Sequence, residues 1–276
     1  MTYTLSDEAV SDAVEPGPGP RHRGIWLTVA LLTAAVVFAP TAVSAYSWLI
    51  QQTATTSWSA THAVSAVDVT VDGGDVNVRP GGQGAVSVDA TLTWDIQRPI
   101  VRESWLGDSL VVSASCPGHS AFAAHDCGTS LDIKVPAATS VTVTARSGGI
   151  SVADISGEVR AQTMSGDIAL EGTAGALWAH AVSGTVSAQA IASPQADVGT
   201  KSGDVSLQFA APPQRVVSDV ISGDTSILVP QAGGYLITGR TVSGQRNIDS
   251  ALGNGTSTRM INVSSVSGDV DVEAQG

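Results

Sequence analysis

The sequence predicts an all-β fold: a β-solenoid of about 18–24 residues per coil, preceded by one transmembrane helix. Three observations carry this prediction. A Ser-Gly pair recurs at a regular interval through the second half of the 276-residue chain. Apolar residues alternate with polar ones after each pair, the period of a half-buried strand. An uncharged apolar stretch, Ile25 to Ile50, precedes the whole array. Composition agrees. Charged residues are 14% and aromatics 4%, and small and β-branched residues dominate. That mixture fills a narrow β core and does not suit a helical bundle.

Residues 1–24 are acidic, contain Pro-Gly-Pro-Gly-Pro at 16–20 and show no apolar periodicity, so they read as a disordered cytoplasmic tail. Residues 25–50 are long enough to span a bilayer. Trp26 stands at one end of this stretch, with Tyr46 and Trp48 at the other. Such aromatic belts mark the two membrane interfaces. Arg21 and Arg23 flank the N-terminal side, and no Lys or Arg follows until Arg79, so the N-terminus is expected in the cytoplasm and the rest outside. The alternative is a cleaved export signal with a small-residue site at Val43-Ser44-Ala45. Both readings export the remainder. Residues 51–63, rich in Thr and Ser, read as a linker. Residues 64–145 carry longer, less regular alternating runs, expected as an irregular membrane-proximal part of the solenoid.

Residues 146–276 form the array. Ser-Gly falls at Ser147, Ser165, Ser183, Ser202, Ser222, Ser243 and Ser267, with Ser156-Gly157 and Ala174-Gly175 half-way between the first members. This spacing implies two strands and two turns per coil, stacked in the order of the chain. The residues three and five places after each anchor are expected inside: Ile150/Val152, Val159/Ala161, Ile168/Leu170, Leu177/Ala179, Val186/Ala188, Val205/Leu207, Thr225/Ile227, Arg246/Ile248 and Val270/Val272. All but Thr225 and Arg246 are apolar. Arg246 therefore predicts a register change or a widened coil near the end.

With Gly74-Asp75-Val76-Asn77-Val78, Ile133-Lys134-Val135-Pro136, Ser147-Gly148-Gly149-Ile150-Ser151-Val152 and the later Ser-Gly-Asp turns, the chain resembles a bacterial family of candidate adhesins of unknown function. The resemblance covers roughly residues 64–276. It implies a β-solenoid outside the membrane, often behind one helix, and carries no catalytic residue over. The chain departs from the repeat at Ala174-Gly175 and Gly244-Gln245.

Cys116 and Cys127 are the two cysteines, and export favours a disulfide between them. A zinc site adding His119 and His125 has suitable ligand types but no standard spacing, and free thiols are the third reading. The Ser-Gly-Asp acids at 167, 204, 224 and 269 invite a Ca²⁺ reading, but one Asp per coil is fewer oxygens than a calcium roll pools, so turn formation is expected of them. Trp178 and His180 fall on the outward face of one coil and are candidate partner contacts, unless a neighbouring loop covers them. No nucleophile elbow, Walker A loop or His-Glu-x-x-His occurs. No cofactor is expected.

The net charge is −12, most of it beyond the apolar stretch, so nucleic acid is disfavoured as a partner. The leading expectation is a non-enzymatic, membrane-anchored surface binding or structural module. Its partner would be an envelope protein, a surface polymer or another cell. The first alternative is an envelope sensor or transporter accessory whose tail meets a cytoplasmic partner. The second is a solenoid hydrolase, which would need a cleft with paired carboxylates.

Overall fold

The computed structural model describes residues 27–29, 31–34, 51–82, 84–117 and 127–275. The chain divides into two compact units, Met1–Leu49 and Ile50–Gly276. In the first, residues 27–29 and 31–34 are helical. Among the described residues no helix is long and apolar enough to cross a membrane. The tail at 1–24, the aromatic flanks, the cleavage site at 43–45 and most of the expected anchor at 25–50 lie outside the described residues.

The second unit begins with β1 (Gln52–Ala60), β2 (Ala66–Val71), β3 (Val76–Pro80), β4 (Val86–Trp94), β5 (Ile100–Leu106), β6 (Ser109–Ser115) and β7 (Cys127–Val135). Then come β8 (Ser140–Ser147), β9 (Ile150–Ala153), β10 (Val159–Ser165), β11 (Ile168–Glu171), β12 (Leu177–Ser183), β13 (Val186–Ile191) and β14 (Gln195–Ser202). The chain closes with β15 (Val205–Phe209), β16 (Arg215–Ser222), β17 (Thr225–Pro230), β18 (Leu236–Ser243), β19 (Arg246–Ile248), β20 (Met260–Ser267) and β21 (Val270–Gln275). The expected linker at 51–63 is therefore mostly strand. Its β-branched threonines suit a half-exposed edge strand, and β1 pairs antiparallel with β4, Gln52 opposite Trp94.

The described strands form two long sheets. One runs β1-β4-β7-β3-β9-β11-β13-β15-β17-β21-β19, the other β18-β20-β16-β14-β12-β10-β8-β2-β6-β5. From β8 to β17 the chain alternates between the sheets and advances one parallel strand each time it returns. The Ser-Gly turns stack in register, Ser147 beside Ser165, then Ser183, Ser202 and Ser222. The inward positions are as expected: all except Arg246 and Ile248 are buried. The core lies between the sheets, from Val64 to Val272.

Two features explain the Ser-Gly-Asp turn. Gly203 has φ 138°, and a Cβ there would lie 2.2 Å from the Gly184 carbonyl oxygen of the coil below. Only glycine fits a positive φ against such a close backbone. The aspartate then reaches to the next coil. Asp167 Oδ1 accepts from the Thr185 N–H at 2.8 Å, Asp204 Oδ1 from Asp224 N–H at 2.9 Å, and Asp224 Oδ1 from Asp269 N–H at 2.8 Å. These carboxylates thus satisfy turn amides rather than pooling oxygens.

Stacking in chain order fails at both ends. At the C-terminal end, β16 pairs with β20, and β18 lies outside β20. At the N-terminal end, β2 lies between β8 and β6. In each case the coil nearest the chain end is slotted between two others. Parallel coil edges are chemically alike, so either coil can be the neighbour, provided the connections are long enough. Arg246 keeps its register, opposite Val270. No register change is needed, because β19 is the last strand of its sheet and the arginine is exposed there. Tyr235, in the loop before β18, is buried and donates to the Pro230 carbonyl at 2.8 Å. Burial raises its phenol above the ordinary value of 10.0, against a smaller lowering by Arg259.

Candidate functional site

Side chains on alternate positions of β10, β12, β14, β16, β20 and β18 point away from the core and form rows running across the strands. The row just before the Ser-Gly turns is apolar for most of its length. Met164 is 55% exposed, Ile221 50%, Val266 50% and Val242 68%, and Val182 joins them, half-buried. Lys201 interrupts the row. Next to it runs a groove of about 620 Å³. It spans five interstrand steps, about 24 Å at the usual strand spacing.

Trp178 and His180 both stand in this groove, on β12. They are partly covered, though by neighbours on the sheet rather than by a loop. The two rings lie 4.4 Å apart between centroids, tilted by 34°. The Arg160 guanidinium, on the adjacent β10, sits 5.3 Å from the centre of the Trp178 ring, and it also donates to Glu158 Oε1 at 3.0 Å. On the other side, His180 Nε2 is 2.9 Å from Asp197 Oδ1 of β14. A file of Arg160, Trp178, His180 and Asp197 thus fixes the orientation of the tryptophan.

Gly199 makes room for the His180 ring. This position points outward beside His180 and carries no side chain. A Cβ there would meet the Asp219 carbonyl oxygen at 2.6 Å and His180 Nδ1 at 3.0 Å. The His180 ring therefore lies over bare β14 backbone. Beyond it the lining becomes polar, with Asp219, Ser264 and the two cations Lys201 and Arg240. Neither cation has an ion-pair partner among the described residues. Asp219 is the one carboxylate of the lining, so this groove does not supply the carboxylate pair of a glycosidase.

Cys116 and Cys127 are joined by a disulfide. A bonded pair offers no thiolate to zinc, and His119 and His125 lie outside the described residues. Among the described residues no three or more His, Cys, Asp or Glu side chains gather as metal ligands would.

The Toastrack DUF4097 family profile matches residues 128–274. The chain belongs to this family. The match takes in the whole groove and leaves out β1 to β6. No curated protein matches the chain in sequence. Among solved structures, a candidate cell adhesion protein from Clostridium sporogenes is 10% identical, with 81% of this chain and 100% of that chain covered and a TM-score of 0.36. A candidate adhesin from Bacteroides fragilis is 11% identical over 80% of this chain and 97% of that one, with a TM-score of 0.40. One from Parabacteroides merdae is 11% identical over 80% and 96%, with a TM-score of 0.37. Likenesses this remote carry no argument about function.

In this Toastrack chain, reading outward positions from sequence found Trp178 and His180. It missed the apolar row and the groove. The signal was present: the residue before each Ser-Gly is Met164, Val182, Ile221, Val242 or Val266 in all but two of the coils, Arg146 and Lys201 being the exceptions.

Proposed function

We propose that this Toastrack protein is a non-enzymatic binding module displayed outside the membrane by a single-pass anchor at residues 25–50. The N-terminus would be cytoplasmic, and the groove beside Trp178 would hold an envelope protein or polymer. The observation that supports this is the groove itself: an oriented, half-buried Trp178 shares it with an exposed apolar row and with Lys201 and Arg240, which have no ion-pair partner among the described residues. Large aromatic anchors of this kind dominate binding surfaces. Adhesin-like display needs no chemistry, and a stack of coils supplies the stiff, extended face it does need.

The test uses the fluorescent domain 51–276, which carries the entire core. Its binding to cells of the producing strain is compared with that of Trp178→Ala. Loss of a central tryptophan contact weakens binding by about 30-fold, the equivalent of roughly 2 kcal/mol. Equal binding by both proteins removes the groove from the proposal. N-terminal sequencing of the mature protein tests the anchor, and a start at Tyr46 rejects it.

A further inference from the structure

The exposed large apolar side chains of the second unit fall into two groups, apart from Leu236. One is the row beside the groove. The other lies at the opposite end of the sheets, within a dozen residues of chain. The connection from β4 to β5, residues 95–99, crosses from one sheet to the other over the N-terminal end of the core. It carries Ile96, 58% exposed, and leads into Ile100, 39% exposed; β5 ends at Leu106, 72% exposed. Behind them, Trp58, Trp94 and Trp105 pack half-buried against the last core residues. The Arg98 guanidinium stands 5.3 Å from the Trp94 ring, and the Trp58 Nε1–H has no hydrogen-bond partner among the described residues. A recess of about 450 Å³ lies between Trp58, Arg98 and Ile100.

We propose that this end of the domain rests on the outer leaflet of the bilayer, with Ile96 and Ile100 at the acyl boundary and Arg98 and Arg102 at anionic headgroups. The proposal rests on the reading of residues 25–50 as a retained anchor. Three arguments select a bilayer as the occupant. The first is chain length. Ile50, the last residue of the apolar run, is two residues before β1, and the register places Gln52 opposite Trp94. Two residues reach about 7 Å, so with residues 25–50 in the bilayer the corner bearing Trp94 and Ile96 would be tethered close to its surface. The second is composition: half-buried tryptophans with exposed isoleucines and arginines are what interfacial segments carry.

The third is the guanidinium itself. Arg98 and Arg102 point outward. A guanidinium donates to a lipid phosphate in bidentate fashion, even where Asp95, Glu103 and Asp108 nearby keep their negative charge while accepting from or lying beside the Ile96 N–H, the Trp105 Nε1–H and His62. A contact too weak to bind a membrane by itself becomes effective once a short tether makes it intramolecular.

The test reconstitutes the full chain in vesicles of brominated phosphatidylglycerol and phosphatidylcholine. Two single variants each add a tryptophan, Ile96→Trp at this end and Leu236→Trp on β18, nine strand steps away or about 43 Å. Both positions are exposed, so each variant keeps the core. The tryptophan added at 96 is expected to lose most of its fluorescence to bromine, and the one at 236 to lose none. If carbonate at pH 11 leaves the chain in the membrane but position 96 is unquenched, the docking proposal alone falls. If carbonate releases the chain, the anchor reading falls and takes the docking proposal with it.

Discussion

Gly166 and Gly107 both adopt a positive φ, yet different forces hold them. Gly166, in the array, has φ 144°, and a Cβ there would lie 2.1 Å from the Gly148 carbonyl oxygen of the next coil. Gly107, in the turn between β5 and β6, has φ 63° and nothing within 4 Å of its missing Cβ. The array is thus specified by contact between coils, turn upon turn. The N-terminal end is specified by local turns, by antiparallel strands laid over the last parallel coil and by the disulfide. Among the described residues the C-terminal end has turns of its own but no antiparallel strand and no disulfide: β18 and β19 close it with parallel pairing.

The largest effect should come from the clash in the array. Gly166→Ala is expected to destabilise the domain by at least about 4 kcal/mol, because strain and a backbone collision add. Gly107→Ala should cost about 1 kcal/mol, the left-handed penalty alone. Urea unfolding of the two variants measures both, and equal losses would erase the distinction. Next in size is the Cys116–Cys127 bond, which closes a loop of sequence separation 11. Replacing both cysteines with serine should cost about 3 kcal/mol. Because each coil touches only its neighbours, hydrogen exchange should accelerate in β4 to β7 and stay unchanged in β14 to β17. Uniform acceleration would show that the two regions unfold as one. The smallest effect concerns the aspartate file. Asp204→Ala removes the acceptor of the Asp224 N–H, a loss of about 1 kcal/mol. Thr185→Asp should recover about half as much by offering the same acceptor to Asp204. Thermal melts of both variants and the double variant read this directly.

Much of the array was legible because its signal repeats. The Ser-Gly steps named the stacked turns, and the positions three and five residues later named the core. The N-terminal end was less legible. β5 went unread because Arg102 and Glu103 interrupt the alternation of Val101 and Trp105. β1 passed for a linker because its partly covered residues are only Ala54, Trp58 and Ala60, too few and too small to register as a run. The groove was half legible. Trp178 and His180 stood out by type, whereas Gly199 acquires meaning only from what His180 does above it.

The order of the coils shows where local information ends. Ser222, Ser243 and Ser267 follow one another in sequence at intervals like those of the array, yet Ser222 pairs with Ser267 and Ser243 lies beyond. Spacing and alternation determined that each segment becomes a coil, because turn geometry and side-chain period act within a few residues. Which coil lies against which was decided only when the chain folded, because every coil offers the same hydrogen-bonding edge and the same apolar interior. The rows of outward residues, and with them the groove, belong to that second decision.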